Sequence, residues 1–288
     1  MKHAGKACPV CGAMERELLF TQKNWSVYKC NACGLGVLDP RPSSEELTDL
    51  YRDSYFVGHY DAGLVPGTEA MRKRLSQESH RIRFLKPLKK TGRILDIGCG
   101  RGYFLLACRE QGYDVQGFDI SEDGAVYVRN TLGIPVQTGT LVGAFEDASF
   151  DVITMWHSLE HTPDPARYLE AAGRWLRPDG VLVIDVPNYT GTDARLQWQT
   201  WEHWDLPYHL LHFTPKALDT LLGSHGFSVV RRKNYHSDVI KDRLGKVPLL
   251  KLVARPIAKL FSGSSYAVVA KKIAQNTNSL NLEKRNTQ

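Results

Sequence analysis

A glycine-rich turn between two apolar segments constrains the fold of this chain more than any other feature. Residues 93–96 form an apolar segment typical of a buried strand, and residues 103–109 after the turn are typical of a helix. A second apolar segment, 115–118, ends in Asp119, 17 residues beyond the last glycine of the turn. The turn contains three alternating glycines, Gly98, Gly100 and Gly102. Repeated strand–helix units of this kind predict a parallel, doubly wound α/β sheet.

The spacing in this segment suits the binding of a nucleoside. Glycines have no Cβ, so they let the backbone press against a ligand. An acidic residue at the end of the next strand, here Asp119, suits the two hydroxyls of a ribose. Tyr103 occupies the last glycine position of the dinucleotide fingerprint G-x-G-x-x-G. The alternative of a nicotinamide- or flavin-binding fold is therefore disfavoured.

From residue 94 to residue 271 the chain resembles the class I S-adenosylmethionine-dependent methyltransferases. Asp96, the three alternating glycines and then Asp119 are similar to the family's cofactor motif. Four later segments resemble further core elements of that fold: 150–155, 181–188, 221–227 and 265–271. The resemblance implies a seven-stranded, doubly wound, Rossmann-like sheet with the last strand antiparallel, formed here by residues 91–275.

The resemblance also assigns residues to S-adenosylmethionine. It implies that the glycines line the methionine moiety with Asp96 near its ammonium group, that Asp119 binds the ribose, and that Trp156 flanks the methionine side. Many relatives carry an acidic residue near adenine after their third strand, whereas this chain has Thr140 and Leu141 there. The residues assigned to the cofactor are Asp96, Gly98, Gly100, Gly102, Asp119, Ile120, Thr140, Leu141 and Trp156.

Four cysteines near the beginning of the chain form two C-x-x-C pairs, Cys8 with Cys11 and Cys30 with Cys33. Each pair aims two thiolates at one point, so together they supply the four sulfurs of a tetrahedral Zn²⁺ site. The alternating segment 25–30 predicts a strand, and we expect residues 1–40 to form a zinc ribbon. A redox-active dithiol is the alternative. Four cysteines leave no open coordination position, so this zinc is expected to be structural.

Residues 41–90 are predicted to form a helical connector between the two units. One helix is expected to begin after Ser44, and a basic amphipathic helix is expected from Thr68 to Lys89. Between them lies a cluster of four aromatic residues, Tyr51, Tyr55, Phe56 and Tyr60. The connector is either a scaffold along the edge of the main domain or a lid over the active site.

Five of the ten histidines lie between residues 157 and 212, where the family binds its acceptor. Histidine is the natural base for taking a proton from an acceptor near neutral pH. The candidate catalytic residues are His209 as the first choice of base, His161 as the second, Glu160 beside it, and His157 and His212 as positioning groups. In the alternative interpretation these residues are structural. Glu160 and His161 pair with each other and stabilise the loop, and each histidine contributes to packing.

The sequence His157-Ser-Leu-Glu160-His161 also matches the inverted zinc-peptidase signature. Peptidase chemistry needs both histidines on one continuous helix. Pro163 and Pro165 follow directly and interrupt such a helix, so a peptidase is disfavoured.

The N-terminal part is similar to the deoxysugar C-methyltransferases, which also begin with a four-cysteine module and an aromatic connector. Tyr208-His209 resembles a catalytic stretch of that family, in an aromatic segment, 198–212, that is expected to close over the acceptor. Those enzymes usually carry glutamate where Tyr208 stands, and they continue into a further C-terminal domain, which we do not expect in this chain. Deoxysugar C-methylation is therefore one option among several.

Positive charge is concentrated towards the end of the chain. From Arg231 onward there are 13 Lys and Arg against 3 Asp and Glu, which leaves a net charge of −4 on the remainder. An insertion at about 237–264 is predicted to contain one basic amphipathic helix, kinked at Pro256. Its basic face is formed by three cationic residues that recur every four residues: Lys251, Arg255 and Lys259. Packing of its apolar side on the enzyme is the preferred interpretation, and contact with the inner face of a membrane is the alternative. Residues 276–288 are predicted to be disordered.

These features predict a cytoplasmic enzyme that transfers a methyl group from S-adenosylmethionine to a small acceptor. The acceptor is expected to be a sugar, a polyketide-like or a lipid-linked metabolite, methylated on oxygen or carbon. The second hypothesis is an rRNA or tRNA methyltransferase that uses the zinc ribbon on RNA. It is disfavoured because the basic residues are confined to one region instead of a broad face. A non-catalytic zinc-ribbon adaptor is the third hypothesis.

Overall fold

The structure is a computed structural model that describes residues 6–43, 45–46 and 63–273. The strands are β1 Arg16–Gln22, β2 Trp25–Cys30, β3 Gly36–Leu38, β4 Arg93–Ile97, β5 Asp114–Asp119, β6 Val136–Thr138, β7 Phe150–Trp156, β8 Leu176–Pro187, β9 Leu211–His212, β10 Phe227–His236 and β11 Ser262–Lys272. The helices are α1 Glu69–Leu85, α2 Tyr103–Arg109, α3 Glu122–Asn130, α4 Pro165–Trp175, α5 Thr192–Gln197, α6 Pro215–Ser224, α7 Asp238–Gly245 and α8 Ala254–Ala258.

A seven-stranded sheet in the order β10-β11-β8-β7-β4-β5-β6 forms the centre of the protein. Strand β4 pairs in parallel with β5 and β7, and the parallel pairing continues to β6 on one side and β8 on the other. Strand β11 is antiparallel to both of its neighbours, β8 and β10. The predicted Rossmann-like sheet with an antiparallel last strand is therefore confirmed.

The sequence of the central strands explains this arrangement. β7 and the second half of β8 are almost continuously apolar and buried, which is typical of parallel strands covered on both faces. Phe145 packs edge-to-face on Phe150 and Trp175, with ring centroids 5.3 and 5.0 Å apart. Several helices begin at a side chain that accepts a backbone amide hydrogen bond, including Ser121 before α3 and Thr214 before α6. The sheet and helices thus pack together in two buried apolar clusters.

The N-terminal module has a sheet of its own, in the order β1-β2-β3-β9. Its last strand comes from the main domain, because β3 pairs with β9 through Gly36 opposite His212. The Leu38 amide also donates to the Leu210 carbonyl at 3.0 Å. The Tyr189 hydroxyl donates to the Gly34 carbonyl at 2.5 Å. The cysteine-bearing module is therefore joined to the main domain by backbone pairing.

Helix α1 confirms most of the basic helix predicted in the connector. It begins after Thr68, whose hydroxyl accepts from the Met71 amide, and it ends at Leu85, four residues before the predicted end. Most of the helix predicted after Ser44, the four aromatic residues of the connector and the tail predicted at 276–288 lie outside the described residues. Whether the connector forms a lid therefore stays a prediction.

The insertion after β10 differs from the prediction. In place of one helix kinked at Pro256 it forms α7, a 3₁₀ turn at Pro248–Leu250 and the short helix α8. Pro248 and Pro256 explain the interruption, because proline lacks the amide hydrogen that a helix interior needs.

The preference for packing the apolar side of the insertion on the enzyme was also wrong. Leu249, Leu252 and Leu260 are 91%, 92% and 82% exposed, and α8 buries only Ala254 and Ala258. Among the described helices, none combines the length and the apolar character that crossing a membrane requires.

Candidate cofactor and acceptor site

The glycine turn lies between β4 and α2, at the carboxyl edge of the parallel strands, where ligands bind in doubly wound sheets. Gly98, Gly100 and Gly102 all have positive φ, at 77°, 52° and 69°. A Cβ on Gly98 would lie 2.4 Å from the Cβ of Ser158, and one on Gly102 would lie 2.8 Å from Val128 Cγ1. The turn therefore favours glycine at all three positions for conformation, and at Gly98 and Gly102 it also requires glycine for space.

Asp119 ends β5 directly beside this turn. Its two carboxylate oxygens accept the backbone amides of Gly100 at 2.8 Å and Ser121 at 2.9 Å. Burial raises the pKa of Asp119, while these amide hydrogen bonds oppose the shift. The carboxylate is thus fixed in orientation, and each oxygen has a further lone pair for a ligand hydroxyl.

Asp96 lies inside β4 and is almost fully buried. The Thr154 hydroxyl donates to its Oδ1 at 2.6 Å. Burial raises the pKa of Asp96 to about 8, although the Thr154 hydrogen bond and the positive charge of Arg81 oppose this. A cationic group in this position would favour the ionised carboxylate.

The remaining residues assigned to the cofactor have different environments. Ile120 is 55% exposed just beyond β5, and Leu141 packs against the core while Thr140 is exposed. Trp156 is buried, with the Phe104 ring 5.4 Å away edge-to-face and the Arg81 guanidinium 5.1 Å from its ring centroid. The exposed Ile120 can therefore meet an adenine ring, whereas the part assigned to the buried Trp156 beside the methionine stays a prediction.

His157 follows β7 directly and has a positive φ of 52°, which is uncommon for a residue with a side chain. Its Nδ1 lies 3.4 Å from Glu160 Oε1, and its Nε2 lies 3.9 Å from Asp185 Oδ1. Burial would lower the pKa of His157, but the Asp185 and Glu160 carboxylates outweigh it and raise the pKa. The turn after β7 thus holds a histidine between two carboxylates.

Glu160, His161 and His209 form a cluster, which we call the Glu-His-His cluster. The ligand atoms of the three side chains lie within 4.8 Å of one another. His161 Nδ1 lies 3.1 Å from the Tyr208 carbonyl oxygen, and His209 Nδ1 lies 2.8 Å from the His203 carbonyl oxygen. Burial lowers the pKa of both histidines, so we expect neutral rings at pH 7.

His212 is close to this cluster but packs into the interior. It lies on β9, and its ring centroid is 5.0 Å from that of Trp204 and 6.3 Å from that of His209. Burial lowers the pKa of His212 to about 3. This geometry favours a structural or positioning part for His212 over proton transfer.

Two residues at the same edge, Asp185 and Arg81, were not predicted from the sequence. Asp185 is buried in β8 and accepts a hydrogen bond from the Tyr235 hydroxyl at 2.5 Å. Arg81 of α1 pairs with Glu78 at 2.9 Å and lies over Trp156. Asp185 had a detectable signal, because a carboxylate inside the apolar segment 181–187 needs a partner. Arg81 had none, since basic residues recur along the whole of α1.

The four N-terminal cysteines lie together as predicted. The Sγ atoms of Cys8 and Cys33 are 3.6 Å apart, those of Cys11 and Cys30 are 3.5 Å apart, and all four lie within 4.8 Å of one another. Disulfide sulfurs are about 2 Å apart, whereas tetrahedral sulfurs about 2.3 Å from zinc are separated by roughly 3.8 Å. The sulfur positions therefore fit a four-cysteine zinc site.

Comparison with known proteins agrees with this geometry. The family model described as Methyltransferase domain matches residues 68–232. The ubiquinone biosynthesis O-methyltransferase of Azorhizobium caulinodans is 30% identical over 168 residues, which are 52% of this chain and 64% of that protein. Its namesake from Paraburkholderia phymatum is 38% identical over 103 residues, which are 33% of this chain and 44% of that protein. The chain thus spans less than two thirds of the length of these curated relatives.

Among solved structures, a SAM dependent methyltransferase from Archaeoglobus fulgidus aligns with a TM-score of 0.56 and 24% identity. The alignment covers 76% of this chain and all of that protein, so the two share a fold. The family match spans more than half of the chain and includes the glycine turn, Asp119 and the Glu-His-His cluster. The chain therefore belongs to the methyltransferase-domain family, with the class I fold of the S-adenosylmethionine-dependent methyltransferases.

Proposed function

We propose that the protein transfers a methyl group from S-adenosylmethionine to a hydroxyl oxygen of a small-molecule acceptor. The observation that carries this proposal is the convergence of two sets of residues at one edge of the sheet. Asp119 and the glycine turn suit the nucleoside and methionine parts of the cofactor. The Glu-His-His cluster follows the neighbouring strand β7 and supplies polar groups for an acceptor.

In this proposal the cofactor supplies an electrophilic methyl group, and the protein supplies alignment. Asp119 holds the ribose, while Asp96 lies near the ammonium group. The Glu-His-His cluster orients the acceptor hydroxyl towards the methyl group and receives its proton, with His209 as the first candidate base. Such positioning accounts for much of the rate in methyl transfer.

The names of the curated relatives support transfer to oxygen. Both are ubiquinone biosynthesis O-methyltransferases, which favours O-methylation over the C-methylation of deoxysugar enzymes. Because the chain spans only part of those proteins, the proposal covers the class of reaction and does not extend to their acceptor.

Transfer of radiolabelled methyl groups into a cell extract tests the reaction. We expect label in organic-soluble or small aqueous products, because the site offers a compact polar cluster rather than a broad basic face. Label that ribonuclease releases would favour the RNA hypothesis. Absence of label in every fraction, despite tight cofactor binding, would contradict the enzyme proposal in favour of the adaptor.

We further propose that the insertion contacts a membrane surface and brings the site to lipid-carried acceptors. Leu249, Leu252 and Leu260 are almost fully exposed. Four cations surround them and are exposed as well: Lys246, Lys251, Arg255 and Lys259. Apolar side chains flanked by cations suit the interface of an anionic bilayer. The insertion also begins one residue after β10, where Tyr235 bonds to Asp185 of the acceptor edge.

Replacing the three exposed leucines with serine is expected to weaken binding to anionic vesicles roughly 100-fold, because each leucine would lose about 1 kcal/mol of apolar transfer energy. Sedimentation with phosphatidylglycerol vesicles measures this binding. Serine at Val65 and Val142, which are 65% and 69% exposed elsewhere, is the matched control and should change nothing. Equal sedimentation of the wild type and the triple variant would refute the contact.

A further inference from the structure

We infer that a basic cleft between α1 and β10 binds a phosphate or diphosphate group, and that the acceptor of the proposed reaction carries this group. Binding of the anion is independent of the reaction, whereas its assignment to the acceptor rests on the proposed function. The cleft has a volume of about 380 Å³ and lies outside the glycine turn and the Glu-His-His cluster. The inference depends on the charges that line the cleft, on their counter-ions and on the position of the cleft.

Two elements present basic side chains to the cleft. His80, Arg83 and Phe84 lie at positions i, i+3 and i+4 of α1 and therefore share one face of the helix. Arg231 and Lys233 are two residues apart on β10 and therefore share one face of the strand. The centroid of the Phe84 ring is 4.9 Å from the Arg231 guanidinium carbon and 5.4 Å from Lys233 Nζ. Contacts with one aromatic ring thus keep two cations close together.

The cations of the cleft lack carboxylate partners. In the described part of the chain, Arg83, Arg231 and Lys233 form no ion pair. Arg232 also borders the cleft but differs from them, because it pairs with Asp219 at 2.8 Å. Like charges that lie close together repel, and this repulsion destabilises the fold unless an anion neutralises them. The cleft therefore has an excess of positive charge that a bound anion would relieve.

Lys233 is the most constrained of these cations because it is half-buried. Burial lowers its pKa, and although the Asp185 carboxylate opposes this shift, the positive charges of Arg83 and Arg231 add to it. Asp185 itself accepts a hydrogen bond from the Tyr235 hydroxyl. A phosphate in the cleft would reverse the shift, since a negative charge nearby favours the ammonium form.

The chemistry of the side chains indicates the class of anion. A guanidinium can bind two phosphate oxygens at once, and a lysine adds a compact charge, so two arginines and a lysine suit a multiply charged phosphate. A water molecule in the liquid occupies about 30 Å³, so 380 Å³ has room for roughly a dozen waters, which is enough for a diphosphate. A nucleic acid would instead need a broad basic face.

Tyr235 connects the cleft with the acceptor edge of the sheet. Its ring centroid lies 4.2 Å from Lys233 Nζ and 6.0 Å from that of the His80 ring. Its hydroxyl donates to Asp185 Oδ2 at 2.5 Å, and Asp185 Oδ1 is 3.9 Å from His157 Nε2, in the turn that follows β7. An acceptor whose phosphate occupies the cleft would therefore have its remaining part beside that turn.

Isothermal titration calorimetry with inorganic pyrophosphate tests the cleft directly. We expect the wild type to bind one equivalent, and Lys233→Gln and Arg83→Gln to weaken binding at least tenfold each, because each removes a charge-assisted contact. Lys251→Gln is the matched control, since it removes the same charge from an exposed position in the insertion. Absence of pyrophosphate binding in the wild type, or an equal loss in Lys233→Gln and Lys251→Gln, would overturn the inference.

Sedimentation with phosphatidylglycerol vesicles separates the cleft from the membrane surface proposed above. Here the order of the two variants should be reversed. Lys251→Gln should bind vesicles about fivefold more weakly than the wild type, because it removes one cation from the exposed surface of the insertion. Lys233→Gln should bind vesicles as the wild type does. Loss of vesicle binding in Lys233→Gln alone would assign the cleft to the membrane instead of the acceptor.

Thermal unfolding shows whether a variant fails only because it is unstable. Without pyrophosphate, Lys233→Gln should melt within about 2 °C of the wild type, because the relief of repulsion offsets the lost contacts with Phe84 and Tyr235. With pyrophosphate, the wild type and the Lys251 variant should gain stability, whereas Lys233→Gln should not. An equal gain in all three proteins would contradict the site.

The labelled product of the methyl-transfer assay tests the assignment to the acceptor. We expect an anion-exchange resin to retain it and phosphatase treatment to abolish that retention. Retained label in the aqueous fraction would indicate a soluble phosphate ester, and retained label in the organic fraction a lipid-carried phosphate. An uncharged product would overturn the assignment. Pyrophosphate binding is measured without cofactor or acceptor, so a failure of the proposed reaction would be distinguished from a failure of the cleft.

Discussion

Replacing Asp119 with alanine is expected to weaken S-adenosylmethionine binding roughly 100–1000-fold. The carboxylate can accept two ribose hydroxyls, and hydrogen bonds to a charged group contribute about 1.5–3 kcal/mol each. At the lower end of that range the joint loss is about 3–4 kcal/mol, which corresponds to that factor. The variant also removes the acceptor of the Gly100 amide, which lies 2.8 Å from Asp119 Oδ2 and shapes the glycine turn. Isothermal titration calorimetry with the cofactor measures the effect.

Asp114 provides the matched control for this experiment. It begins the same strand, β5, but lies at the opposite end and pairs only across an exposed surface with Arg93 at 3.4 Å. Asp114→Ala should therefore bind the cofactor as the wild type does. Comparable affinities for Asp119→Ala and Asp114→Ala would show that the nucleoside lies elsewhere, and the proposed function would lose its main support.

Removing zinc by the substitution Cys33→Ala is expected to unfold the N-terminal module and to impair the acceptor site in the main domain. The module buries little besides its own cysteines and a few apolar side chains, so the predicted zinc would supply much of its folding free energy. Its strand β3 pairs with β9, which carries His212 and directly follows the segment of His209. We expect the melting temperature to fall by roughly 5–15 °C and methyl transfer to fall about 100-fold from displacement of the cluster.

Cofactor affinity separates this effect from general unfolding. The glycine turn follows β4, and Asp119 ends β5. In the described part of the chain both strands pair only within the seven-stranded sheet, so the affinity of the protein for S-adenosylmethionine should change little. Cys108→Ala is the matched control, because it also removes one buried sulfur but lies on α2, away from the cysteine cluster. If Cys33→Ala lost zinc yet kept full methyl transfer, the module would be an independent appendage.

Prediction from sequence succeeded where function depends on residues close together in the chain. The two C-x-x-C pairs and the glycine turn each bring their own groups together within a few residues, so spacing alone indicated both sites. The assignment of Asp119 to the cofactor could be predicted from the regular alternation of strands and helices, which places it at the end of the next strand. The prediction for the insertion was wrong, because its periodicity indicated one helix kinked at Pro256. The segment instead forms α7, a 3₁₀ turn that begins at Pro248 and the short helix α8, and its leucines are exposed.

The sequence by itself determined the class of fold, the cysteine ligand set and the cofactor edge, because each depends on local spacing and on apolar periodicity. Only the tertiary structure decided that β9 completes the sheet of the N-terminal module and that His209 meets Glu160 and His161. It also decided that Glu160 is buried without a hydrogen bond among the described residues. Each of these contacts joins segments that are about 50 or more residues apart in the chain. Their stability comes from burial and strand pairing across the fold, which a local sequence pattern cannot predict.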